Sequence, residues 1–150
     1  MDPSTTSATP LAKTNALMWY DDPDNGMQCW RHVRATADTA TVLGLVYKGG
    51  HTTNPDVLVL TAAANLDPKE LIGVAQHVIP ANYYGWVLCY GIGTVVVEAE
   101  VGVGATFGTE GSAGKVGDAS VTAGCGFGYA CNTGVIGTGA TGGKAFINLL

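Results

Sequence analysis

The sequence predicts an all-β chain, with at most a short helical turn or two, folded as a small β-barrel or sandwich behind an extended N-terminal arm. Three observations carry this reading. Short runs of β-branched and aromatic residues alternate in polarity, and turn residues recur about every 8–12 positions, the rhythm of sandwiches and barrels. Glycine crowds the second half: five of the 22 glycines precede residue 85 and seventeen lie from Gly85 onward. A chain of 150 residues fits one domain, and can bury roughly 68–70% of its unfolded surface without a disulfide or metal. Hydrophobic residues, at 47%, are too many for a disordered chain. No linker separates the halves, so residues 1–16 are read as the arm and 17–150 as a single β-rich domain.

The arm is rich in Ser, Thr, Pro and Ala and has no periodicity. Leu17-Met18-Trp19-Tyr20 and Gln28-Cys29-Trp30-Arg31-His32-Val33 flank Asp21-Asp22-Pro23-Asp24-Asn25-Gly26, whose Pro and Asn-Gly predict a hairpin with a longer loop. Residues 41–47 form a β-branched, apolar run, although residues 35–40 could begin a helix. Val57-Leu58-Val59-Leu60 reads as a short buried strand. Asp67-Pro68-Lys69-Glu70 has the cap, first-position proline and acidic fourth residue of one helical turn. A strand over 71–79 is expected next.

Tyr84-Gly85-Trp86-Val87-Leu88-Cys89-Tyr90 gives the clearest strand signal. Alternation puts Tyr84, Trp86, Leu88 and Tyr90 on one face and Gly85, Val87, Cys89 and Gly91 on the other. Over residues 94–101, Val95, Val97, Ala99 and Val101 face inward while Glu98 and Glu100 face solvent. Shorter segments are expected near Phe107, Val121, Phe127, Tyr129, Val135 and Ile136. Ala145-Phe146-Ile147-Asn148-Leu149 closes the fold.

The charge balance narrows the partners. The formal charge is −5, and seven Lys and Arg are scattered along the chain. That pattern offers no basic stripe to exchange counterions with nucleic-acid phosphates and no polybasic membrane anchor. No apolar run approaches a membrane span, and the polar Met1-Asp2-Pro3-Ser4-Thr5-Thr6-Ser7 lacks the features of a secretory signal, so synthesis in the cytoplasm is expected. Charged residues make up only 13%, and so sparse a surface is compatible with burial against partners.

No motif assembles a catalytic, cofactor or metal site. Gly137-Thr138-Gly139-Ala140-Thr141-Gly142 matches the dinucleotide fingerprint in letters, but a β-like Phe146-Ile147-Asn148-Leu149 follows where the phosphate-binding helix must open. Glu98 and Glu100, about 6.5–7 Å apart along a strand, could serve as a glycosidase pair, yet acids alternating on an exposed face are ordinary and discourage edge pairing. His32, His51 and His77 have no nucleophile elbow or paired-histidine motif to join. Cys29, Cys89, Cys125 and Cys131 read as small buried hydrophobes, with a Cys125–Cys131 bridge as the alternative. The aromatic residues fall in two groups: Trp19, Tyr20 and Trp30 around the first hairpin, and Tyr83, Tyr84, Trp86 and Tyr90 around the central strand. They suit a barrel core, a sugar-stacking platform or a protein interface.

The stretch Leu71-Ile72-Gly73-Val74-Ala75-Gln76-His77-Val78-Ile79-Pro80-Ala81-Asn82-Tyr83-Tyr84-Gly85-Trp86-Val87 resembles the central region of tailed-phage capsid decoration (cement) proteins. The glycine-rich continuation and Val135-Ile136-Gly137-Thr138-Gly139-Ala140 before a final strand are similar to that family too, so the resemblance covers approximately residues 70–150. It implies a structural virion protein that binds the major capsid protein on the outside of the shell and stabilises it, without catalytic residues, cofactor or metal. Lattice-bound or self-associated copies are expected, since glycine-rich strands specify register weakly. On physical grounds the contact surface is expected at the arm and at Trp19, Tyr20 and Trp30. The alternative is a head-fibre or tail adhesin that binds host glycans through its aromatic face; a solvent-facing Trp86 is its requirement.

Overall fold

A computed structural model describes residues 1–35, 41–48, 70–97, 101–109, 114–118, 126–131 and 141–150. These carry nine strands and no α-helix: β1 (Leu17–Asp22), β2 (Gly26–Arg34), β3 (Val46–Lys48), β4 (Leu71–Val74), β5 (Tyr84–Val96), β6 (Thr106–Thr109), β7 (Val116–Asp118), β8 (Gly128–Ala130) and β9 (Thr141–Asn148). The all-β expectation holds. Every strand pair is antiparallel, and all nine strands belong to one sheet ordered β1-β2-β5-β9-β8-β6-β7, with β4 also paired to β5 and β3 to β4.

The sheet curls so that β7 returns towards the end of β5. One parallel bridge, Val97↔Val116, and the hydrogen bond from Val46 N–H to the Gly114 carbonyl (2.8 Å) make that return. A single bridge is not a ladder, so among the described residues the sheet is not closed; the all-β class holds, and closure into a barrel is not shown.

The β1–β2 hairpin forms where the turn residues place it. Asp22 pairs with Gly26, leaving Pro23, Asp24 and Asn25 as the loop. The Asp22 carboxylate accepts hydrogen bonds from the Asp24 and Asn25 backbone N–H groups and from the Asn25 side-chain amide (3.0, 2.8 and 2.9 Å). Gly26 then takes φ +71°, the left-handed conformation that ends a three-residue hairpin loop.

Two expected strands are shorter than their apolar patterns. Over 41–47 only the end is strand, because residues 43 and 44 turn. Over 71–79 the strand ends at Val74, Ala75 still exchanges backbone hydrogen bonds with Leu45 and Gly44, and side chains take over beyond it. The Gln76 amide donates to the Thr94 carbonyl (3.0 Å) and accepts from the Thr94 N–H (2.7 Å), standing in for a strand residue. The Thr41 hydroxyl accepts from the Ile79 N–H (2.6 Å) and donates to the His77 carbonyl (3.1 Å). The short β7 was not anticipated. The expected features at 35–40 (after Ala35), Val57–Leu60, Asp67–Lys69, Ala99, Val121, Val135 and Ile136 lie outside the described residues.

Strand β5 divides the apolar interior. Trp86 and Leu88 join the larger core with Trp30, Val74, Phe107, Phe127 and Ile147. Val87 joins a smaller one with Val33, Tyr47, Ile72, Ala75 and Ile79, and Gly85 lets Ile79 approach. Between Leu88 and Tyr90 the parity reverses, at the register shift where Trp30 faces Leu88 but Cys29 faces Tyr90, and Cys89, Val95 and Val97 enter the larger core. Gly91, just beyond the shift, takes φ +111°. Each buried Val, Leu or Phe contributes roughly 1.5–3 kcal/mol.

Residues 1–16 pack on their own domain. Ser7 and Tyr84 exchange backbone hydrogen bonds (3.0 and 2.7 Å), Asn15 N–H donates to the His32 carbonyl (2.9 Å), and His32 N–H donates to that of Ala16 (2.8 Å). Pro3 is buried, and Ala12 rests against the larger core. His32 is wholly buried where these residues meet β2, stacked on Tyr84 (5.7 Å) and tilted against Trp86 (5.0 Å). Neither of its ring nitrogens has a hydrogen-bond partner. Burial pushes the His32 ring below the usual histidine range, opposed by the nearby Lys13 backbone. His77 shifts the same way through burial, opposed by the Asp2 carboxylate.

Two predictions follow from this packing. Alanine at Gly91 would meet the Met27 carbonyl oxygen at 2.8 Å besides adopting a positive φ, whereas alanine at Gly26 meets nothing within 4 Å. In urea titrations Gly91→Ala is therefore expected to cost about 3 kcal/mol or more, and Gly26→Ala only about 1–2 kcal/mol; equal costs would refute the close approach of the Met27 carbonyl to Gly91. The second concerns acid. A histidine buried as its neutral form has a lowered folded pKa, so the unfolded chain binds the proton first, and stability is full above about pH 6.5 and falls as the pH drops through and below that value. His32→Phe keeps the ring stack without the buried nitrogens. Its melting temperature is expected to fall less than that of the parent chain between about pH 7.5 and pH 5.

Candidate functional site

The hairpin trio expected to meet a partner is split by strand alternation. Trp19 points outward from β1 and is 56% exposed. Tyr20, one residue on, faces inward and packs half-buried against the larger core. Trp30 is only 6% exposed, and its indole N–H donates to the Gln28 side-chain oxygen (3.1 Å). Gln28 in turn donates to the Ile92 carbonyl (2.7 Å). Trp30 is thus a core residue behind the hairpin, and only Trp19 of the three is open to a partner.

Trp86 is 3% exposed. Buried in the larger core, it cannot stack on a sugar, and the glycan platform centred on it is withdrawn.

What the structure assembles instead is a row of rings across the outer face of the sheet. The register aligns Trp19 on β1 with Cys29 on β2, and Cys29 with Tyr90 on β5. Trp19 meets Tyr90 edge-on at 5.8 Å, and Tyr90 meets Phe146 of β9 edge-on at 5.1 Å. Phe146 stacks on Tyr129 of β8 at 5.1 Å with 19° between planes. Cys29 is wholly buried between the flanking rings of this row. Tyr129, at the far end, is 46% exposed. On β9 the core takes Ala145, Ile147 and Leu149, which leaves Lys144, Phe146 and Asn148 on the outer side.

Exposed Leu17 and Met27 widen the apolar area on either side of the row. Asp21 borders it at the loop end of the hairpin, where Lys144 donates to the Asn25 side-chain oxygen (3.0 Å). Arg31 borders it at the opposite end, next to Leu17 and donating to the Leu149 carbonyl (3.4 Å). Sequence reasoning had placed Tyr90 with Trp86 and had not singled out Phe146 or Tyr129. Their alternation with apolar neighbours was visible, but the pairing of β9 with β5 and β8 was not.

Cys29, Cys89 and Cys131 are free thiols. The Cys89 thiol donates to the Cys29 carbonyl (3.1 Å), and burial, reinforced by Cys29, pushes it up to about 12, far from a reactive thiolate. Among the described residues no three of His, Cys, Asp and Glu gather as a metal site. No helix among them is long and apolar enough to cross a membrane. Glu98, Glu100, His51 and Cys125 lie outside the described residues. The fingerprint glycines at 137 and 139 do as well, but Gly142 lies in strand β9, where a phosphate-binding helix would have to begin. Along the N-terminal residues, an open concavity of about 540 Å³ is lined by Pro10, Leu11, Ala12, Lys13, Thr14 and Tyr84.

No family model and no curated protein matches the chain. Among solved structures it is similar to the N base of head fiber gp8.5 of bacteriophage phi29, with a TM-score of 0.52 and 18% sequence identity. The alignment covers 80% of this chain and 93% of that one. At this identity the likeness is one of fold alone.

Proposed function

We propose that this chain is a structural protein of a bacteriophage head, seated on the outside of the shell against the major capsid protein and stabilising it. The observation that carries the reading is the shared architecture with a head-fiber base across most of both chains. The resemblance of residues 70–150 to capsid decoration proteins supports it independently, because it rests on sequence segments rather than on strand arrangement. Sparse charge supports it as well, since a surface meant for burial against a shell has few ions to desolvate. On this reading the chain acts without chemistry of its own, and its place is the capsid exterior.

The adhesin reading survives only in another form. With Trp86 in the core, sugar stacking would fall to Trp19 and Tyr129, the exposed ends of the ring row.

Co-sedimentation with capsids that lack the protein tests the proposal. The chain is expected to pellet with the shells, to remain bound at about 0.5 M salt because short-range apolar contact outlasts screening, and to raise the temperature at which they release DNA. A chain left in the supernatant at every salt concentration would sink the proposal. Binding to host-cell glycans, but not to shells, would favour the adhesin.

A further inference from the structure

The outer face of the sheet carries an inference separate from the capsid reading. We propose that the ring row Trp19–Tyr90–Phe146–Tyr129 is the contact between two copies of this chain, packed sheet against sheet about a two-fold axis along the row.

The first argument is the chemistry of the face. The opposite side of these strands is occupied by the larger core. The outer side carries four rings in contact, with Leu17 and Met27 exposed beside them. A sheet apolar on both faces is stable when each is covered, and a second sheet stacked about 10 Å away is the usual cover.

The second argument is charge. Asp21 follows Trp19 by two residues along β1, and Arg31 follows Cys29 by two along the antiparallel β2. The acid and the base therefore lie on opposite sides of the row. A two-fold axis along the row lays the rings of one copy over those of the other. It also brings the Asp21 side of each copy over the Arg31 side of its mate. A two-fold contact must be self-complementary, and this face is so in apolar character and in its Asp21 and Arg31 borders, with Lys144 engaged by Asn25 at the Asp21 end.

The third argument is area. Five strands, β1, β2, β5, β9 and β8, spaced about 4.8 Å apart, span on the order of 20 Å by 17 Å where each offers about five residues, narrowing at the three-residue β8. Side-chain relief raises that towards the roughly 500 Å² per partner of the smallest specific interfaces. The expected dimer is accordingly weak and concentration-dependent. Copies crowded on a shell would favour it by mass action.

Sedimentation equilibrium on the purified chain, without capsids, provides the test. Between roughly 1 and 500 µM the chain is expected to pass from monomer to dimer, with a dissociation constant in the tens to hundreds of micromolar. Trp19→Glu, and Tyr129→Glu at the other end of the row, are each expected to weaken the dimer about tenfold or more. Both sites are exposed, so unchanged melting temperatures would show that the fold is intact. Asp21→Arg should weaken association, and adding Arg31→Asp to the same chain should restore it. A monomer at all concentrations overturns the proposal. So does a dimer indifferent to both ring variants, or a charge exchange that fails to restore it. Trp19 fluorescence that responds to capsids or to oligosaccharides while the chain stays monomeric would assign the face to that partner instead. Since no shell is present, a negative result here leaves the capsid reading standing, and failed co-sedimentation leaves this one standing.

Discussion

Strand β5 has neighbours along both edges and burial on both faces, and the other elements take their positions from it. Its first half pairs with β2 and touches β4 at Leu88, while its second half pairs with β9. A strand enclosed in this way cannot use simple apolar–polar alternation, because both faces must be apolar. Trp86 and Leu88 therefore serve one core and Val87 the other, with Gly85 clearing room for Ile79. The reversal at the register shift between Leu88 and Tyr90 then redirects the second half. Tyr90, Ile92 and Thr94 pair with Asn148, Phe146 and Lys144 on the outer side, while Val95 turns into the core. Without that reversal Tyr90 would face inward, and the ring row would have no middle.

The N-terminal residues depend on the same strand. Ser7 bridges Tyr84 at the start of β5, and Asn15 and Ala16 bond to the backbone of His32 on β2. These contacts close the N-terminal segment over a buried imidazole with no partner for either nitrogen. Leaving such a group unpaired costs on the order of 1–3 kcal/mol, offset here by ring contacts with Tyr84 and Trp86. The arrangement holds while the imidazole is neutral. The segment expected to reach for a partner instead completes its own domain, and the exposed rings lie elsewhere.

That relocation is the main functional consequence of the fold. Neighbouring residues in a strand point to opposite faces, so Trp19 and Tyr20 could never act together on a flat partner. Residues far apart in the chain could. Trp19, Tyr90, Phe146 and Tyr129 come from four strands and share one surface because four antiparallel ladders bring them into line. A face of this kind, bordered by Asp21, Arg31 and Lys144, suits recognition through shape and apolar area more than attraction of a highly charged ligand.

Local sequence carries the all-β class, the hairpin at Asp22–Gly26, the strand beginning at Tyr84 and a closing strand through Ala145–Asn148, which in the structure also takes in Gly142 and Gly143. Each is a local matter: turn residues with special backbone angles and side chains that favour a pleated strand act over a few positions. Tertiary structure decided the early end of β4, where Gln76 replaces the ladder with its side chain. It also decided the open curl of the sheet, the burial of Trp30 and Trp86, and the alignment of the outer rings. These depend on register between strands distant in sequence, and a shift of one residue exchanges the two faces. The alternation that announced a β-rich chain could not say which of its faces would be covered, because the cover comes from elsewhere in the chain.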